Sequence, residues 1–170
     1  MIVDLSSSQN TKLMEQLSEF YIHCSEDLRE VLVDSLLSVL LNAKTITPFT
    51  FIPALPPHAL VPTLTQFYKA HRYDYIIQLL SQLGKYTNLE IQHLFNIGEW
   101  ICQQQYSYEI WNQFRRGMFE VIDSISPTTY LSIFEQCVEK IEHHWLDKPA
   151  VFFYTALCGG LGRYPFYVVR

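Results

Sequence analysis

The chain has 170 residues, 49% of them hydrophobic and 17% charged, which is enough apolar material for one globular core. The formal net charge is −5 with scattered Lys and Arg, which argues against broad nucleic-acid binding. Aromatic residues reach 15%, more than a helical monomer readily hides, so a partner surface or groove is expected.

The first predicted helix runs from about Asn10 to His23, with Leu13, Leu17, Phe20 and Tyr21 inward. The stretch before it, MIVDLSSSQN, lacks a basic region ahead of an apolar run, so no signal peptide is expected. Ser25 is a good N-cap for a second helix, with Glu26 and Asp27 in its first turn, and that helix continues to about Ala43. Its run VLVDSLLSVLL is interrupted only by Asp34, Ser35 and Ser38, which predicts a helix enclosed on most sides and the most buried element of the chain.

From Lys44 the character changes. Pro48, Pro53, Pro56, Pro57 and Pro62 forbid a continuous helix, yet Phe49, Phe51, Ile52 and Leu55 are apolar. Residues 44–61 are therefore expected to lie as a packed strap; the alternative is a Pro-aromatic docking segment for a partner.

Beyond Pro62 the chain reads as helix pairs. A very short turn near Arg72 to Asp74 separates PTLTQFYKAHR from YDYIIQLLSQLGKY, and Lys69, His71 and Arg72 suit a helix C-terminus. Gly84 falls near the end of the second of these helices, and Thr87 and Glu90 have capping-box spacing. A fifth helix carries Leu94, Ile97 and Ile101 to about Gln105, and a sixth carries Ile110, Phe114 and Val121 from Tyr108 to Ser124. Ser126 and Pro127 begin a seventh, striped by Leu131, Phe134, Val138 and Ile141, which ends near Trp145. Asp147 caps an eighth helix, which is expected to fade at Gly159, Gly160 and Gly162 before the apolar tail RYPFYVVR. Its run PAVFFYTALCGGL is too short for the ~20 residues of a membrane span and reads as buried core.

The expected fold is one all-α domain. Residues 1–43 form an N-terminal helical pair, 44–61 the strap, 62–164 three hairpins and 165–170 the tail. Repeating antiparallel hairpins predict a short α-solenoid; a closed globular helical bundle is the alternative. In LFNIGEWICQQQYSYEIWNQFRRG, Ile97-Gly98 resembles the Leu-Gly pair of a tetratricopeptide first helix, and Phe114 and Gly117 fall near the large and small positions of the second. FYKAHRYDYIIQLL is similar to the tight helix-turn-helix of tetratricopeptide and clathrin-type repeats. Across about 60 residues the resemblance implies a scaffold that binds proteins on a concave face, and it carries over no site residue.

The chemistry-bearing residues are sparse. Glu90 and His93 make one Glu-x-x-His, the di-iron spacing, without a second copy. Glu139 and His143 lie one turn apart, beside Glu142 and His144, and read as exposed polar residues near a helix end. No GxSxG elbow and no catalytic cysteine signature occurs, and CGGLGRYP follows a helix instead of opening one, which suits termination better than phosphate binding. Cys24, Cys102, Cys137 and Cys158 are far apart in sequence and read as buried thiols in a reducing, cytoplasmic setting.

No metal or cofactor is expected. The expected function is a non-catalytic protein–protein interaction module, an adaptor or subunit of a larger assembly. Its partner is a protein or a second copy of itself, with no nucleic acid and no membrane involved. The candidate contact residues are the aromatics Trp100, Tyr106 and Trp111 around one turn, Phe152 and Phe153 on the last helix, and Phe166 and Tyr167 in the tail. The alternative from another class is a helical enzyme or ligand- or metal-binding protein with an inter-helix His/Glu pocket.

Overall fold

Turn signals divide the chain where its helices end. The computed structural model describes residues 7–42, 55–86, 88–104, 107–124, 127–143 and 146–161, which are mostly helical and include no strand. In chain order they form α1 (Ser7–His23), α2 (Glu26–Asn42), a 3-10 turn (Pro57–Ala59), α3 (Leu60–Lys69), α4 (Tyr73–Ser81), a 3-10 turn (Leu83–Lys85), α5 (Ile91–Gln103), α6 (Tyr108–Asp123), α7 (Pro127–His143) and α8 (Lys148–Leu161).

Helix starts have local causes. Ser107 accepts a hydrogen bond from the Ile110 N–H at 3.3 Å, and Asp147 Oδ1 accepts from Ala150 N–H at 3.3 Å, so both act as N-caps. Pro62 is tolerated because it sits in the first turn of α3, where no intrahelical donor is needed. The capping box of α5 differs from the expected Thr87/Glu90 pair. Glu90 is itself the N-cap, and its N–H donates to Nδ1 of His93 at 3.1 Å. Thr87 lies outside the described residues.

Two arginines close helix C-termini from a distance in sequence. Arg29 donates to the carbonyls of Tyr21 (3.1 Å) and Ile22 (2.6 Å) in the last turn of α1. Arg72 donates to the Leu40 carbonyl at 3.3 Å, near the end of α2, while Asp74 holds its guanidinium through bonds of 3.2 and 3.0 Å. The ring of Tyr75 lies 3.9 Å beneath the same guanidinium. The last carbonyls of a helix have no partner within it, so each arginine satisfies exposed acceptors and complements the helix dipole. Within the basic stretch of the sequence the side chain of Arg72 thus serves a helix end, that of α2 and not of the helix it follows.

The α3–α4 turn is tight because His71 adopts φ 56. Arg72 N–H then bonds to Phe67 O and His71 N–H to Tyr68 O, the paired bonds of a Schellman motif. Glycine is the usual residue there; histidine is one of the few others that enter the left-handed region with any frequency.

The packing order departs from chain order. α3 lies on α4 and α5, α4 lies on α6, and α8 lies on α5 and α7. One continuous core runs from Tyr21 to Leu157. α5 is the helix enclosed on most sides: Leu94, Phe95, Ile97, Gly98, Trp100 and Ile101 are all buried. That corrects the expectation for α2. Val33, Leu37 and Leu40 of α2 are buried, but Leu28 is 40% and Val31 71% exposed. α2 presents one face to the core, whereas α5 has neighbours in α3, α6 and α8. The strap expected at 44–61 falls partly outside the described residues; its described end packs Leu55 into the core and then turns helical at Pro57. α8 continues through Gly159 and Gly160 to Leu161, so these two glycines do not end it.

Candidate protein-binding surface

Gly98 sets how closely α8 approaches α5. A Cβ at this position would stand 2.7 Å from Cδ2 of Phe153 and nearer still to two other ring carbons. The ring therefore occupies the place of a side chain on α5. It sits among Phe95 (ring centroids 6.3 Å apart), Phe114 (5.9 Å), Trp111 (6.5 Å) and Tyr154 (4.8 Å). Tyr154 is fully buried, and its hydroxyl donates to Oε1 of Glu99. Burial, reinforced by that bond and the nearby carboxylate charge, holds its ionisation well above the ordinary tyrosine range.

Phe152 points the other way. It is 51% exposed and rests against the half-buried Trp111, with ring centroids 5.7 Å apart. Tyr108, one turn earlier on α6, is 79% exposed. This sorts the expected contact residues. Phe152 and Trp111 form an aromatic pair at the surface. Phe153 is instead core, because consecutive residues of a helix cannot share a face. Trp100 is also core, packed edge-on against Tyr68 of α3 at 6.1 Å. Tyr106, Phe166 and Tyr167 lie outside the described residues.

α7 is placed differently from its expected stripe. Ile133 and Cys137 are fully buried against α8, and Phe134 and Ile141 are partly buried. Leu131 and Val138, expected inward, are 54% and 38% exposed. α8 covers a face rotated from the apolar stripe. On that face Cys137 lies near enough to Cys158 of α8 for each thiol to influence the other's ionisation. Sequence reasoning missed this pair, since the thiols are separated by 21 positions and only packing brings them together. Burial pushes both thiols up, and Cys102 up to about 12, so none favours the nucleophilic thiolate.

The His and Glu candidates have local roles. His93 closes the capping box of α5, and Nδ1 of His143 lies 2.8 Å from the Glu139 carbonyl on its own helix. Among the described residues no three His, Cys, Asp or Glu side chains converge in a way that could hold a metal ion. A groove of about 270 Å³ between α2 and α3 is lined by Val33, Leu37 and Thr63, with Glu30 and His58 at its rim. The His58–Glu30 pair is 3.7 Å long and both side chains are largely open to water. Among the described residues no helix is long and apolar enough to cross a membrane.

The chain matches no protein-family model, no curated protein and no solved structure among those compared. The likeness to tetratricopeptide and clathrin-type hairpins rests on the residues that carry it. Of those, Gly98 and Gly117 both lie at close helix crossings, Gly117 where a Cβ would come 2.6 Å from the Leu80 carbonyl oxygen.

Proposed function

We propose that this chain is a non-catalytic protein-interaction module, an adaptor or a subunit of a larger assembly, built as a short array of helical hairpins. The observation that carries the reading is where its large apolar side chains remain exposed. Val31, Leu131, Leu146 and Phe152 are each half or more accessible, as is Tyr108, although a continuous core was available to bury them. Scattered apolar residues are ordinary on a surface, but Phe152 beside Trp111 and Leu131 in line with Val138 are grouped. The stacking of α3 on α5 and α4 on α6 supports the array, and the four free thiols fit a reducing cytoplasmic setting. Affinity purification from native cells, with identification of co-eluting proteins, tests the reading. Stoichiometric metal retained after dialysis and no co-eluting protein would overturn it in favour of an inter-helix ligand site.

A further inference from the structure

The apolar stripe of α7 is only partly used by the fold. Leu131, Phe134, Val138 and Ile141 recur at alternating intervals of three and four, the spacing by which one helix lies along another. α8 covers the Ile133–Cys137 side, which leaves Phe134 and Ile141 half covered and Leu131 and Val138 facing outward. The margin of this seam away from α8 is acidic. Glu135 and Glu142 follow Phe134 and Ile141 directly, seven residues apart, and both are exposed. In a helix pair, residues at those positions lie against the flank of the partner helix and select its charge.

We propose that the outer seam of α7 docks an amphipathic helix of a partner protein. That helix carries apolar residues at heptad spacing and Lys or Arg on the flank that meets Glu135 and Glu142. The proposal rests on the interaction-module reading and names its partner chemistry. A second copy of this chain fits poorly. Two antiparallel α7 helices would set Glu135 of one against Glu142 of the other, and a net charge of −5 adds repulsion. The opposite charge is what both the local margin and the whole molecule attract.

The test uses the full chain and three fluorescent peptides of about three heptads: Leu at the seam with Lys flanks, Leu with Glu flanks, and a scrambled Lys peptide. Anisotropy should show binding of the Lys-flanked peptide alone, weakened by added salt. Because Leu131 and Val138 are exposed, Leu131→Asp with Val138→Asp should leave the circular dichroism unchanged while reducing affinity by roughly tenfold or more. Glu135→Lys with Glu142→Lys should transfer the preference to the Glu-flanked peptide. Equal binding by wild type and the Asp variant, an unaltered charge preference, or no binding of any peptide at about 100 μM would overturn the proposal. Affinity purification with wild type and the Asp variant separates the two readings. Identical partners with both would remove the seam and leave the module reading standing; no partners with either would remove the module reading itself.

Discussion

Replacing Gly98 with Ala should destabilise the protein, although Ala is the better helix former. In an exposed helix interior the change gains about 1 kcal/mol. Here the new methyl group would meet Cδ2 of Phe153 at 2.7 Å, more than half an ångström inside ordinary carbon–carbon contact, with two further ring carbons closer. The ring has nowhere to retreat, because Phe95, Phe114, Trp111 and Tyr154 surround it. Overpacking of this kind costs about 1–3 kcal/mol, and a caged ring places it at or beyond the top of that range. The net loss should be about 2 kcal/mol, a sizeable share of the ~5–15 kcal/mol that holds a domain together. Urea denaturation at constant m-value measures it. Phe153→Leu alone should also destabilise, by leaving a cavity, but Gly98→Ala combined with Phe153→Leu should recover roughly 1 kcal/mol or more relative to the sum. A Gly98→Ala protein as stable as wild type, or strict additivity in the pair, would refute the argument that Phe153 is seated in the space left by the missing side chain.

Gly159 provides the opposite case: a Cβ there meets nothing within 4 Å, so Gly159→Ala should raise stability by about 0.5–1 kcal/mol, read as a higher urea midpoint. Arg72→Ala should cost about 2 kcal/mol by freeing the Leu40 carbonyl and the Asp74 carboxylate together, and Arg72→Lys should recover little of it because Lys cannot repeat the two-point bond to Asp74; full recovery with Lys would mean that only charge matters. Alkaline pH should unfold the chain. Burial lifts Tyr21 from 10.0 and Cys102 from 9.0, each to about 12, and lifts Tyr86, Tyr154 and Cys137 as well. A raised folded value means that the unfolded chain loses these protons first, so stability is complete below about pH 9 and declines as pH rises toward 12. A melting temperature flat from pH 8 to about 11 would contradict this burial.

The starts of three helices were legible in the sequence because their signals are local. Pro127 and Asp147 mark starts within a residue of where α7 and α8 begin, and the start expected at Tyr108 is that of α6, since a cap acts on donors two or three positions away. The core stripes of α5 and α6 were legible for a related reason: Leu94, Ile97, Ile101, Ile110, Phe114 and Val121 are all buried, and periodicity identifies an inward face when a helix is well covered. Contacts that depend on the arrangement of helices were not legible. Nothing in the chain order announces that Arg29 closes the helix before its own, that Arg72 closes α2, or that Phe153 seats on Gly98. Of the candidate aromatics, residue type could not separate the caged Phe153 from the exposed Phe152, since that depends on which side α5 and α6 occupy.

The order of the last two helices follows from how much apolar surface each carries. α8, with the run AVFFYTALCGGL, is apolar on nearly every side and needs more than one neighbour. It obtains them by inserting between α5 and α7, with Phe153 also against Trp111 and Phe114 of α6. α7 carries Glu135, Glu139 and Glu142 on its exposed side and can tolerate a place outside α8. The close meeting of Cys137 and Cys158 then fixes its rotation: α8 lies over Ile133 and Cys137, slightly to one side of the line through Leu131, Phe134, Val138 and Ile141. The exposed leucine and valine are thus the part of an amphipathic stripe that α8, its one extensive neighbour among the described residues, does not reach. A stripe wider than the intramolecular contact, bordered by charge of one sign, is the geometry that a second helix completes.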